Sequence, residues 1–227
     1  MPLTVCCLLV KGEYAYTPEY VRRLHVMVKR HLQRPFRFVC LTDQPKAMPK
    51  GVEPIVVEKL PDSFAFWTKL RMFDIDKDWG GRVLYLDLDT LVVAPLDPVI
   101  DFPAQLALTE DALVLERAHL NKDRYGRTLV RRFNGSVMVW DAGTQRPLFD
   151  TWTTAASARL STDQDWIAEQ APHAVGMPYA WFPRASRQQP PWPEGTTVVL
   201  AKKPKGPEAC AKWPWFEPLW GGWEAVS

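Results

Sequence analysis

Short apolar runs alternate with stretches of helical period through the first half of the chain, a pattern that predicts strands and helices in turn. Strands are predicted at Thr4–Val10, Phe36–Leu41, Pro54–Val57 and Val83–Asp87. Between the first two, Thr17-Pro18-Glu19 reads as a helix start, with Thr17 as N-cap and Pro18 at the first helical position. That helix continues through Val21, Leu24, Val28 and Leu32, while Arg22, Arg23, Lys29 and Arg30 read as its solvated face. A second helix is predicted over about Phe64 to Asp74, with Phe66, Leu70 and Phe73 at helical spacing. Further strands follow at Leu91–Val93, Gln105–Thr109 and Val137–Trp140, then helices at Pro147–Leu160 and Asp163–Gln170. Residues 112–132 are polar and irregular and read as a surface excursion or lid. The alternation implies an α/β fold with a mostly parallel, layered sheet.

The last third changes character. It is rich in Pro and Trp, from Pro178 through Pro190-Pro191-Trp192-Pro193 to Trp213-Pro214-Trp215 and Trp220. Tryptophan is costly to leave in water in such numbers, so an ordered, loop-rich cap against the sheet is expected. At 227 residues and 47% hydrophobic content, one large domain suffices. The reading is a single domain over 1–227, with a nucleotide-binding half at 1–110 and an acceptor half plus cap at 111–227.

A net charge of +2, from 28 basic and 26 acidic residues, argues against a protein that binds nucleic acid mainly by neutralising phosphates. Cys6, Cys7, Cys40 and Cys210 show no metal or redox spacing and read as reduced residues of a cytosolic protein. The apolar N-terminal run lacks a preceding basic region, and no segment approaches the roughly 20 apolar residues of a membrane helix. A soluble, cytoplasmic protein is expected, with peripheral membrane attachment left open.

The most informative chemistry lies at Leu86-Asp87-Leu88-Asp89-Thr90, where two carboxylates end one apolar strand and precede another. Residues i and i+2 of a strand share a side, so Asp87 and Asp89 are predicted to present oxygens to one point. Mg2+ or Mn2+ favours such oxygens, usually one or two carboxylates plus phosphates of a substrate. Ligands of open α/β sheets bind beyond strand carboxyl ends, which is where this pair falls. The competing reading is a solvated Asp-x-Asp turn.

Several separated motifs occur in one order: Gly12 to Leu24, Cys40-Leu41-Thr42-Asp43, Trp67-Thr68-Lys69-Leu70, Asp87-Leu88-Asp89, Phe133-Asn134-Gly135-Ser136-Val137, and Thr162-Asp163-Gln164-Asp165. Together they resemble a GT-A fold glycosyltransferase of the glycogenin and lipopolysaccharide galactosyltransferase type, glycosyltransferase family 8. The resemblance implies a Rossmann-like central mixed sheet flanked by helices and transfer of a hexose from a nucleotide-diphosphate sugar, UDP by preference, to a hydroxyl. By it, Asp87 and Asp89 hold Mn2+ or Mg2+, and Lys69 reaches the donor near its phosphates. Tyr16, Thr42 and Asp43 sit where the family binds base and ribose. Asp111 and Asn134 match positions that hydrogen-bond the donor sugar. Asp163 and Gln164 match the pair near the anomeric carbon, which implies retention of configuration. In an inverting enzyme, Asp163 or Asp165 would be the nearest general base. The acceptor is not written in any motif; a glycan, a protein hydroxyl, a small molecule and a modified base all fit.

Each residue also has a plainer reading. Lys69 reads equally as an exposed helix lysine, Asp43-Gln44-Pro45 as a turn, Asn134 as a cap at a strand start, and Thr162 to Asp165 as a helix cap. The family usually carries a histidine metal ligand near the end of its domain, and Ala201 stands in that place. Lys202, Lys203 and Lys205 then supply compensating charge or form a solvated basic loop; by the resemblance Lys205 binds the diphosphate. Trp181, Trp192, Trp213 and Trp215 read as core of the cap or as walls of an acceptor groove. Two other classes remain open: a non-catalytic nucleotide-sugar binding protein, and a haloacid dehalogenase-like phosphatase, whose first motif Leu86 to Leu91 echoes but whose placement on a first strand it lacks.

Overall fold

A computed structural model describes residues 2–12, 15–110, 122–129, 132–201 and 213–220. Nine strands occur among them: β1 Leu3–Leu9, β2 Arg37–Thr42, β3 Glu53–Val56, β4 Arg82–Leu86, β5 Thr90–Val92, β6 Leu106–Glu110, β7 Phe133–Asp141, β8 Val175–Met177 and β9 Val198–Leu200. Seven form one sheet in the order β3-β2-β1-β4-β7-β6-β8, and β5 pairs with β9 in a small second sheet. The β3-β2-β1-β4 half is parallel, whereas β7 runs antiparallel to both β4 and β6. The sheet is mixed, and apolar clusters cover both faces.

Those clusters explain why β1 and β4 read as nearly continuous apolar runs. On one side Val5, Cys7, Leu84 and Leu86 pack with Val21, Leu24 and Val28 of the Pro18–His31 helix. On the other, Cys6, Val83 and Tyr85 pack with Trp67, Phe73, Trp140 and Ile167. Cys6, Cys7 and Cys40 are buried free thiols. Burial pushes the thiol pKa values of Cys6 and Cys7 well above the ordinary range.

Several helices differ from the sequence reading, each for a local reason. Pro18 does open the first helix, but Thr17 makes no side-chain capping bond. Arg23 is not simply solvated: its guanidinium lies 4.8 Å from the ring centre of Trp220 and donates to the Trp220 carbonyl, docking the short helix Phe216–Trp220. The stretch predicted as one helix from Phe64 is a 3-10 segment, Ala65–Arg71, leading into a single turn, Met72–Ile75. Trp67, Thr68, Lys69 and Leu70 are consecutive and all buried, so this segment is enclosed rather than amphipathic. The helix predicted over Pro147–Leu160 is broken into Pro147–Asp150 and Thr154–Arg159. Thr153 turns extended as the N-cap of the second piece, and the Thr151 hydroxyl donates to the Pro147 carbonyl at 2.7 Å.

The Pro/Trp-rich segment is ordered where described. Trp181, Trp192, Trp213 and Trp215 all pack, partly buried, against the first cluster. No helix of the described residues is long and apolar enough to cross a membrane.

Candidate active site

β4 is a central strand, buried along Val83–Leu86, and its carboxyl end delivers Asp87 to a concave surface. The pair Asp87 and Asp89 is not in extended strand, as the sequence pattern implies, but in a turn between β4 and β5. The Thr90 amide and hydroxyl both donate to the Asp87 carbonyl, at 3.2 and 2.7 Å. Both carboxylates nevertheless line one cleft of about 420 Å3 and are buried, 8% and 3% exposed. The turn is fixed from both sides: the Asp87 amide donates to Ser136 of β7, and the Ala201 amide, just past β9, donates to the Asp89 carbonyl.

Tyr85 and Lys69 both hold the Asp87 carboxylate. The Tyr85 hydroxyl reaches its Oδ1 at 2.7 Å and Lys69 Nζ reaches the same oxygen at 3.1 Å. Burial, then the Asp87 charge, push the Tyr85 pKa well above its ordinary value, so this phenol keeps its proton and donates it. Lys69 is 5% exposed, not the solvated helix lysine of the plainer reading. Its ammonium also meets Asp163 Oδ2 at 3.2 Å, donates to the Gly135 carbonyl at 3.0 Å and stands 4.8 Å from the centre of the Tyr85 ring. One cation thus joins the 3-10 segment, the β4 turn, β7 and the Asp163–Gln170 helix. A buried charge is tolerated only when so compensated.

Asp163 and Asp165 have separated roles. Thr162 caps the Asp163–Gln170 helix: its hydroxyl donates to Asp165 Oδ2 at 2.8 Å and accepts from the Asp165 amide. The cap therefore engages Asp165, which does not line the cleft, while Asp163 and Gln164 both do. Gln164 Oε1 accepts from the Gly135 amide at 3.1 Å, which orients the carboxamide. Asn134 also lines the cleft, and its Oδ1 accepts from the Ser136 amide at 2.8 Å, as a strand-start cap would. The β6–β7 register shifts here, with Leu108 opposite Met138 but Thr109 opposite Asn134. The bulge carries Gly135, where a Cβ would stand 3.5–3.7 Å from Asp163, Gln164 and Lys69. These are ordinary contact distances, so three cleft side chains surround this peptide without requiring glycine there.

Tyr16 approaches from the loop after β1, its hydroxyl donating to Asp89 Oδ2 at 2.9 Å and its ring tilted against Tyr20 at 5.0 Å. Thr42 and Asp43 end β2 outside the cleft lining. Thr42 Oγ1 accepts from the Gln44 amide and Asp43 Oδ2 from the Lys11 amide, so both are engaged in tying turns. Asp111, Lys202, Lys203 and Lys205 lie outside the described residues.

Phe66, Arg184, Ser186 and Leu200 also line the cleft, although the sequence marks none of them as a site residue. Phe66 falls on the apolar spacing of a predicted helix, and Arg184 and Ser186 lie within the Pro/Trp-rich cap. They reach the cleft because the chain around Arg184 runs beside β9, with the Leu200 amide donating to Pro183 and the Ala185 amide to Leu200. A charged residue amid a proline-rich stretch was the only available signal.

No group of three or more metal-ligating side chains occurs among the described residues. The donor set is two carboxylates, Asp87 and Asp89, in a cleft with room for a ligand. Hard oxygen donors in that number suit Mg2+ or Mn2+ completed by phosphate oxygens, and do not suit a closed structural zinc site.

No family profile matches the chain, and no curated protein matches it. Solved structures do. A structure of galactosyltransferase LgtC in complex with donor and acceptor sugar analogues is 17% identical, with a TM-score of 0.66 over 99% of this chain and 97% of that one. An active-site mutant of LgtC gives 15% identity and a TM-score of 0.67 over the same shares. The bifunctional glycosyltransferase WbbM, without ligand, gives 13% identity and a TM-score of 0.64, over 96% of this chain and 51% of WbbM. With its mixed seven-stranded sheet and the Asp-x-Asp turn on β4 rather than on a first strand, the chain has the GT-A fold of these transferases.

Proposed function

We propose that this protein is a glycosyltransferase that moves a hexose from a nucleoside diphosphate sugar, UDP by preference, to a hydroxyl acceptor. The observation that carries the reading is convergence: Asp87, Asp89, Lys69, Asn134, Asp163 and Gln164, from four separate segments, line one cleft at the carboxyl end of the central strand of a GT-A fold. Asp87 and Asp89 would hold Mn2+ or Mg2+ on the donor diphosphate. When bound, such an ion neutralises charge on the departing nucleoside diphosphate.

The chain's own residues supply the rest. Lys69 fixes Asp87 and Asp163 at a common distance of about 3 Å, so the diphosphate end and the sugar end of the cleft are held in one register. Asn134, with its side-chain carbonyl anchored by the Ser136 amide, would offer its amide hydrogens to the donor hydroxyls. Gln164, anchored likewise by Gly135, presents a neutral carboxamide beside Asp163, which suits a retaining transfer in which the site stabilises positive charge at the anomeric carbon. Asp165 is committed to the helix cap and does not serve as a base.

The test is a thermal-shift panel of UDP, GDP, ADP and the corresponding sugar nucleotides with and without Mn2+, followed by chromatography for release of nucleoside diphosphate. A ligand at 100 times its Kd stabilises by about 2.7 kcal/mol, which the panel resolves. One nucleotide class should raise Tm only with the metal, and its sugar nucleotide should be slowly hydrolysed. Asp87→Asn with Asp89→Asn should abolish both effects. Metal-independent binding that survives the double substitution would refute the assignment, and binding without hydrolysis or transfer would favour the non-catalytic binding protein.

A further inference from the structure

Beyond Phe66, on the outer side of the cleft, lies a second open depression of about 490 Å3. Phe64 lines it and Phe66 lines the cleft, and the two rings stack 5.6 Å apart with an interplanar angle of 12°. The stack is rooted in the core: Phe66 lies 6.2 Å from Trp67, which is fully buried, and Trp67 meets Trp152 at 6.4 Å. Three aromatic rings therefore run outward from the core, and the last, Phe64, is 46% exposed. Phe64 thus stands as an apolar ring at the rim of the depression, backed by a stack that reaches the cleft.

The walls around this ring are polar. Asp62 adopts φ +48°, the only non-glycine among the described residues with positive φ, and backbone strain of that kind gathers at ligand-clamping sites. The Trp67 amide donates to the Phe64 carbonyl at 3.0 Å, fixing the base of the ring. Across the depression, Arg124 sits in a turn that Asp123 Oδ1 ties by accepting from the Tyr125 and Arg127 amides at 2.9 and 2.8 Å. The Arg124 amide itself donates to Arg159. Lys59 and Arg124 offer donors, and Asp62 an acceptor, while the Ser157 hydroxyl is already donated to the Thr154 carbonyl.

A flat ring beside a fringe of donors and acceptors matches a sugar, which presents C–H bonds on one face and hydroxyls around its edge. A membrane would need a broader apolar patch, and an apolar peptide would need pockets free of charge. We infer that the depression is a subsite for the non-reacting part of a glycan acceptor, so that the enzyme extends an oligosaccharide threaded over Phe66 and Phe64. This inference rests on the sugar-transfer reading above.

An array of defined mono-, di- and longer oligosaccharides, neutral and acidic, tests it with fluorescently labelled wild type, Phe64→Ala, Phe64→Trp and Arg124→Ala. Wild type should retain oligosaccharides well above their terminal monosaccharide. Phe64→Ala should lose about tenfold or more of that retention, the effect of removing one stacking platform, while Phe64→Trp keeps it. Arg124→Ala should weaken it without changing thermal stability. Retention independent of glycan length, equal retention by Phe64→Ala, or no retention of any glycan would overturn the inference. Thermal shifts with UDP and Mn2+, run on all four proteins, separate the two claims: unaltered shifts with lost glycan retention place the defect in the depression, whereas glycan retention without any nucleotide shift would refute the donor reading alone.

Discussion

Replacing Lys69 by methionine keeps most of the side-chain volume and removes only the ammonium, so it isolates the charge that joins the cleft. That ammonium contacts Asp87 at 3.1 Å and Asp163 at 3.2 Å, and these carboxylate side chains are 11% and 9% exposed. At an effective dielectric of about 20, each contact is worth roughly 5 kcal/mol in gross Coulomb attraction. Most of that offsets the cost of taking three charged groups out of water. The net loss on removing one partner of a buried pair is about 3–5 kcal/mol, because the stranded carboxylates cannot relax into solvent. A domain of this length loses about 2–4 °C of Tm per kcal/mol, so Lys69→Met should melt roughly 10 °C lower. Mn2+ should then restore stability to the variant more than to wild type, since a divalent cation at Asp87 and Asp89 supplies the missing positive charge. The measurement is calorimetry of both proteins over a Mn2+ titration. A variant that melts with wild type, or that loses stability without regaining any from Mn2+, would refute the view of Lys69 as the charge balancing this acidic cluster.

Ala201 lines the cleft and its amide is bonded to the Asp89 carbonyl, so Ala201→His places an imidazole beside the two carboxylates; isothermal titration should show Mn2+ bound at least about tenfold more tightly, and unchanged affinity would argue against the proposed ion position. At Gly12 a Cβ would stand 2.2 Å from Ala65 Cβ, so Gly12→Ala must push the β1 loop away and loosen the Tyr16–Asp89 bond. Nucleotide affinity should fall while the far-ultraviolet spectrum is retained, and unaltered affinity would show that the loop's approach to Ala65 does not matter. Asp76 is fully buried, accepts from Trp140 Nε1 at 2.6 Å, and burial raises its pKa. A carboxyl raised on folding favours the native state while protonated and loses that advantage as pH climbs through its folded value. Asp76→Asn should therefore gain stability relative to wild type as pH rises from about 4, the usual aspartate value, to neutrality, measured by urea denaturation; parallel pH curves would count against this.

The parts of the site legible in the sequence are those set by local pattern. Six strands are predicted within one residue at each end because they are apolar runs, while β7 is predicted four residues short at its start; Asp87 and Asp89 stand out because charge interrupts such a run. Lys69 could be placed on its segment but not buried: it falls outside the apolar spacing of Phe66, Leu70 and Phe73, a pattern that normally sends a lysine to solvent. What buries it is a partner set drawn from Asp87, Gly135 and Asp163, residues scattered over much of the chain, and no periodicity encodes that meeting. The same holds for β9. Val198–Leu200 is too short to announce itself, yet by pairing with β5 it draws Arg184, Ser186 and Ala201 against the acidic turn. The acidic floor of the cleft follows from strand ends, which local pattern reveals. Its outer wall depends on a long return of the Pro/Trp-rich segment. On the proposed function the floor must hold two carboxylates at one strand end, whereas the wall only has to close over whatever enters. Specificity for the acceptor should therefore reside in Phe64, Phe66, Arg184 and Ser186, and exchanging those side chains should change which acceptor is used before it changes which nucleotide binds.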